Sequence, residues 1–194
     1  PPTLIIHGDA DQLVPIQQAT LIMAKFNSLQ DPEVIEALYR ASRAGVEIKL
    51  NVRGVCCLQT GNKRYSRNIE VRSIVDRYLE HARLFYFHQG GDPEVYFSSA
   101  DWMTRNLEKR VELLVPVEDP RSKKRLISIL KAAFRDNTNA FEILKDGSSQ
   151  RVIPTKGEKR FRFQEHLYKE ATKAAKARQG ERATTFTPHR PPGQ

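Results

Sequence analysis

The sequence predicts an α/β layered fold, with helices laid on the faces of a sheet. Three observations carry this. Strand-like and helix-like segments alternate through most of residues 20–137. "VEIKLNV" at 46–52 puts Val46, Ile48, Leu50 and Val52 on one side at a period of two. Two helices open on the same signal, at Asp31-Pro32 and Asp119-Pro120, with an aspartate to cap and a proline suited to the first turn.

Taken in order, "PTLIIH" (2–7) reads as a short strand and "TLIMAKF" (20–26) as another. The helix from Asp31 places Val34, Ile35, Leu38 and Ala41 on one face, and Gly45 suits the left-handed position after its end. The strand 46–52 follows, and then a basic, polar loop at 53–68. "IEVRSIVDRYLEH" (69–81) is predicted as a helix with Ile74, Val75, Tyr78 and Leu79 on one side. "RLFYF" (83–87), "EVYFSS" (94–99) and "RVELLVP" (110–116) are predicted strands, the first two joined by a turn at "GGDP". The helix 119–137 turns Leu126, Ile127, Leu130, Ala133 and Phe134 inward. A turn at "KDGSS" (145–149) and a partly helical 158–178 come next, and 179–194 has the composition of a disordered tail.

With 194 residues, 39% of them apolar, the chain is long enough for one domain with a real core. No apolar run approaches the ~20 residues that span a bilayer, and no secretory leader is visible. Cys56 and Cys57 are adjacent, where a bridge is strained, and no metal-binding Cys/His spacing occurs. The expected compartment is the cytoplasm. Starting at Pro1, the chain reads as a fragment, a processed product or a gene-model piece. The net charge of +9 points to an anionic partner; residues 151–194 hold 11 Lys/Arg against 4 Glu, so most of the excess lies there.

Three pieces could carry chemistry. Arg53 directly follows a strand, at the sheet edge where α/β folds meet ligands, and its guanidinium can fork onto phosphate oxygens. Gly54 permits a turn there. His81 lies at the mouth of an apolar strand, where an imidazole can give or take a proton. "VYFSSADWMTRNLEKRVE" (95–112) ends a strand in small hydroxyls and backbone N–H groups able to face an anion, followed by Arg105, Asn106, Arg110 and Glu112. Glu112, on the next strand, is placed to hydrogen-bond His81.

These pieces sit within long blocks: "AKFNSLQDPEVIEALYRASRAGVEIKLNVRGVCCL", "NIEVRSIVDRYLEHARLFYFHQGGDPEVYFSSADWMTRNLEKRVELLVPVEDPR", "DNTNA" and "PTKGEKRFRFQEHLY". Together they resemble the C-terminal catalytic part of bacterial polyphosphate kinases, over roughly residues 21–178. The resemblance implies a single phospholipase D-like repeat, a mixed sheet flanked by helices, with a C-terminal helix. It implies that Arg53, His81 and Arg110 contact nucleotide phosphates and that His81 and Glu112 serve catalysis. The family's reaction transfers the terminal phosphoryl of ATP reversibly to polyphosphate, with Mg2+ and through a phosphohistidine. The implied partners are ATP/ADP and inorganic polyphosphate, with no specific nucleic acid. Self-association and membrane attachment as part of a complex are the further expectations.

In the family, the histidine that carries the phosphoryl group lies in a preceding copy of the domain, together with the magnesium-contacting arginines. That copy is expected before residue 21 and is not in the sequence, so the chain alone is expected to be inactive. His81-Ala82-Arg83 also lacks the lysine that phospholipase D-type phosphodiesterases carry two positions after the histidine. Residues 1–20 resemble instead the acid-bearing "HGxxDxxVP" segment of α/β-hydrolases, with Asp11 as the acid. No G-x-S-x-G elbow accompanies it, so no triad can be built; an orphan segment that pairs with the sheet edge or stands apart is expected. The alternative from another class is a non-catalytic polyanion-binding module centred on 151–178.

Overall fold

Alternating apolar residues build a sheet with two buried faces. The structure is a computed structural model that describes residues 4–5, 20–88, 90–91 and 93–178. In chain order the elements are β1 (Leu4–Ile5), β2 (Leu21–Phe26), α1 (Pro32–Arg43), β3 (Glu47–Val52), β4 (Ile69–Ile74), β5 (Leu84–His88), β6 (Glu94–Ser98), α2 (Thr104–Lys109), β7 (Leu113–Pro116), α3 (Pro120–Ala133), β8 (Ala140–Ile143), β9 (Ser149–Arg151) and α4 (Phe163–Arg178). The sheet order is β1-β7-β6-β5-β2-β3-β4-β8-β9. Among the described strands β2-β3 and β3-β4 pair in parallel and the other pairs are antiparallel, so the sheet is mixed.

Parallel neighbours require crossovers, and a parallel sheet needs both faces covered. On one face Ile22, Ala24, Phe26, Ile48, Leu50, Val52 and Val71 pack with Val34, Leu38 and Ala41 of α1. On the other, Met23, Leu84, Tyr86 and Val95 meet Leu130 of α3. Ile74, Ala132, Ala133, Ala140 and Phe163 close the third cluster between β4, α3 and α4. Burying each such Leu, Ile or Phe contributes about 1.5–3 kcal/mol. The capping signals act as the sequence implied: Asp31 accepts from the N–H groups of Glu33 and Val34, and Asp119 from that of Ser122. Gly45 follows α1 at φ 96°, a left-handed conformation that suits glycine.

The stretch 69–81 is not a helix. Its first six residues form β4, in parallel register with β3, with Ile69, Val71 and Ile74 buried. β-branched residues beside an open strand edge favour the extended form over a weak 3.6-residue stripe. The supposed helical face is outside: Val75 is 66% exposed and Leu79 79%. The strand 110–116 begins later, at Leu113, and helix 119–137 ends at Ala133. The short α2 and the β8-β9 hairpin, whose turn places Gly147 at φ 82°, were not anticipated. Leu4-Ile5 pairs antiparallel with β7 at the sheet edge; Asp11 and the tail 179–194 lie outside the described residues. Among the described residues no helix is long and apolar enough to cross a membrane.

Register places Asn51 between Lys25 and Arg72 on neighbouring strands. Asn51 is fully buried, and neither polar atom of its amide has a hydrogen-bond partner among the described residues. An unpaired buried amide carries a desolvation cost of about 1–3 kcal/mol. Asn51→Leu, similarly branched and apolar, is therefore expected to leave stability unchanged or raise it by about 1 kcal/mol in urea melts. A clear loss of stability would show that the amide has a partner.

Candidate functional site

Strand directions decide where the predicted residues meet. β2, β3 and β4 run the same way and finish at one rim of the sheet. β5 and β7 run oppositely and start there, and β6 ends there. Asn27, Arg53, the segment 75–83, residues 99–101 and Glu112 therefore all lie at that rim, although they are scattered along the chain.

The floor of the rim is apolar. Trp102 stacks on Phe85 at 5.0 Å between ring centroids and lies 4.5 Å from Phe26. Leu29, fully buried, bridges Cys56 on one side and Trp102 on the other. Gly54 lets the exit of β3 press against β2: a Cβ there would stand 3.0 Å from the Asn27 carbonyl oxygen, and the Gly54 N–H donates to that oxygen at 2.8 Å.

A polar chain runs over this floor. Asp101 Oδ1 accepts from the Asn27 backbone N–H at 2.7 Å and from Asn27 Nδ2 at 3.1 Å. Asp101 Oδ2 pairs with Arg83 Nη2 at 2.8 Å, both side chains being only 10% exposed. On one side, Asn27 Oδ1 accepts from Arg53 Nε at 3.0 Å. On the other, two guanidinium nitrogens of Arg83 lie 3.2 Å from the two ring nitrogens of His81, and Nη1 donates to the His81 carbonyl at 3.0 Å. Arg53 and His81 are thus joined through Asn27, Asp101 and Arg83. His81 is exposed rather than packed among aliphatic side chains, and Arg53 is half-buried with its outer guanidinium nitrogens unbonded to protein among the described residues.

Glu112 does not meet His81. It is buried, and its carboxylate accepts from the Ser99 hydroxyl and, at 2.6 Å, from Asn106 Nδ2. It orders the turn after β6 instead. Arg110 is exposed at the end of α2 and has no ion-pair partner among the described residues. Arg83, two positions after His81, is committed to the frame by its ion pair with Asp101.

Burial works to raise the pKa of Asp101. The hydrogen bonds from Arg83 and Asn27 and the Arg83 charge outweigh it and hold the carboxyl below its ordinary value. Asn27 was not singled out in the sequence, and Arg83 and Asp101 entered it only as a missing lysine and as part of the strand-ending 95–112 segment; the signal available was a polar residue at the very end or start of a predicted strand. Among the described residues no group of three His, Cys, Asp or Glu side chains is arranged to hold a metal ion.

A family model described as polyphosphate kinase C-terminal domain 2 matches residues 6–164. The chain belongs to the polyphosphate kinase family. The matched stretch takes in residues 6–20, most of the 1–20 segment that was expected to stand apart from the kinase-like region. The chain is 54% identical over 187 residues to a polyphosphate kinase of Rhodopirellula baltica, covering 96% of this chain and 22% of that protein. The crystal structure of polyphosphate kinase from Porphyromonas gingivalis matches with a TM-score of 0.84 at 38% identity, over 91% of this chain and 29% of that one. The chain thus spans less than a third of the length of these kinases. Nuc from Salmonella typhimurium, a phospholipase D family member, shares the fold, with a TM-score of 0.51 at 17% identity over 77% of this chain.

Removing one partner from a buried ion pair strands the other, at a cost of about 3–5 kcal/mol. Arg83→Met is expected to lower stability by about that amount in denaturant melts. The lowered pKa of Asp101 also has a sign. Its contribution is fully present above the unfolded-state value of about 3.9 and is lost as pH falls through the lower folded value. Asp101→Asn should therefore flatten the stability–pH curve below about pH 4, relative to the parent chain.

Proposed function

We propose that this chain supplies the nucleotide- and phosphate-contacting half of a polyphosphate kinase site, which transfers the terminal phosphoryl of ATP reversibly to polyphosphate. One observation carries the reading: Arg53 and His81 are coupled across Asn27, Asp101 and Arg83 at the strand-end rim, with His81 exposed. Phosphoryl transfer relies on positioning and on neutralising oxygen charge. Arg53 and Arg110 present guanidinium groups to phosphate oxygens, and His81 gives or takes the proton. Glu112 acts indirectly, by holding the turn from which Ser99 and the residues after it face the rim. Magnesium would arrive on the phosphates of ATP, where it would neutralise oxygen charge. The histidine that carries the phosphoryl group belongs, by family resemblance, to a preceding copy of the domain. The 194 residues alone therefore have little or no kinase activity, and the setting is cytoplasmic.

A second reading, a non-catalytic polyanion-binding module, is favoured by the basic exposed side of α4, where Lys173 and Lys176 stand free of ion pairs among the described residues. The two are separable. Under the first, Arg53→Ala and His81→Ala each weaken ATP binding about tenfold or more in calorimetry, the loss of a charge-assisted contact, while Lys173→Glu/Lys176→Glu does not. The reverse pattern supports the second. Mixing the chain with a separately made preceding domain should restore ATP formation from ADP and polyphosphate; no recovery by a folded pair would defeat the half-site reading.

A further inference from the structure

The segment that carries His81 is held almost entirely by polar groups. Residues 75–83 link β4 to β5, and their large apolar side chains point outward: Val75, Tyr78 and Leu79 are 66%, 48% and 79% exposed. Among the described residues, apolar packing therefore does not fix this strap. Gln164, in the first turn of α4 and only 6% exposed, pairs with the Tyr78 backbone as a strand would. Its Oε1 accepts from the Tyr78 N–H at 2.7 Å, and its Nε2 donates to the Tyr78 carbonyl at 2.8 Å and to Glu80 Oε1 at 2.7 Å. The other oxygen of Glu80 pairs with buried Lys25 of β2 at 2.7 Å. Arg162 grips Asp76 through two hydrogen bonds.

The start of α4 is itself fixed from elsewhere. Asp136, fully buried, accepts from the N–H groups of Thr138, Asn139 and Ala140 through Oδ1 and from that of Phe163 through Oδ2. Asn137 Oδ1 accepts from the Phe161 N–H at 2.7 Å. The "DNTNA" stretch thus clamps the residues on either side of Arg162, and Gln164 follows one residue after the clamp. The Gln164 side chain is nine-tenths buried, and all three of its hydrogen bonds are spent on the backbone of Tyr78 and on Glu80 of the strap.

We propose that Gln164, on a helix start fixed through Phe161 and Phe163 by Asn137 and Asp136, and seconded by the Lys25–Glu80 pair, is a positioning residue that sets the place of His81 at the phosphate site. The inference rests on the proposed role of His81 but not on catalysis by this chain. Gln164 touches no substrate; it acts through Tyr78 and Glu80, the latter adjacent to His81 in sequence.

The test uses the full 194-residue chain with labelled histidine. In Gln164→Leu, the Tyr78 amide should exchange about tenfold or more faster, as expected for a lost buried hydrogen bond. The His81 ring signals should move and ATP–magnesium affinity should fall, while amides of β2 and β3 keep their protection. Glu165→Ala, on the exposed side of the same turn, should change none of these. If His81 signals and Tyr78 exchange match the parent chain, the inference is overturned. If they change but ATP affinity does not, positioning stands and the reading of His81 as a phosphate contact falls. Should Gln164→Leu not fold, Gln164→Asn, which keeps the amide and withdraws it by one methylene, is read in the same way.

Discussion

The carboxylate of Asp101 is the interaction on which the rim depends. It is nearly buried above an aromatic floor, and it ties together the ends of β2, β5 and β6 by accepting from Asn27 and pairing with Arg83. In such a place the local dielectric is low, so each bond is strong and each missing partner is costly. The pair draws its strength from being complete. It places one cation, Arg83, firmly within the frame and leaves another, Arg53, steadied at Nε with its outer nitrogens unbonded to protein among the described residues. The same chemical type thus does two jobs, separated by which carboxylate or amide reaches it first.

Much of this was legible in the chain. Helix α1 could be read because its aspartate cap, proline and glycine stop agree with its apolar stripe, and strand β3 because four apolar residues repeat at a period of two. The rim itself could be read only in part. Arg53 and His81 stand beside strand ends and so drew notice. Their link did not, because Asn27 and Asp101 are brought together by antiparallel and parallel pairings that no local pattern specifies. Glu112 was given the wrong partner for the same reason: its neighbour in space is Asn106, six residues back along a short helix, not His81 across the sheet.

Segment 69–81 shows how periodicity misleads. Ile74, Val75, Tyr78 and Leu79 fall at helical spacing, yet the burial that would make a helix there stable does not exist. What exists is an open edge on β3, which accepts Ile69–Ile74 as a strand, and a set of polar anchors that take over from Asp76 onward. Tertiary pairing overrode a weak local preference. Among the described residues the apolar side chains of the strap are left exposed and its anchors are polar groups, which carry directional information that apolar contact lacks.

The β8-β9 hairpin has a practical side. Its turn lies at the edge of the sheet opposite the rim, because β8 runs antiparallel to β4, and Gly147 faces open space. Tethers, fluorophores or inserted sequence attached at that tip would hang at the end of the sheet away from Arg53, His81 and Asp101, giving the molecule a handle remote from the rim.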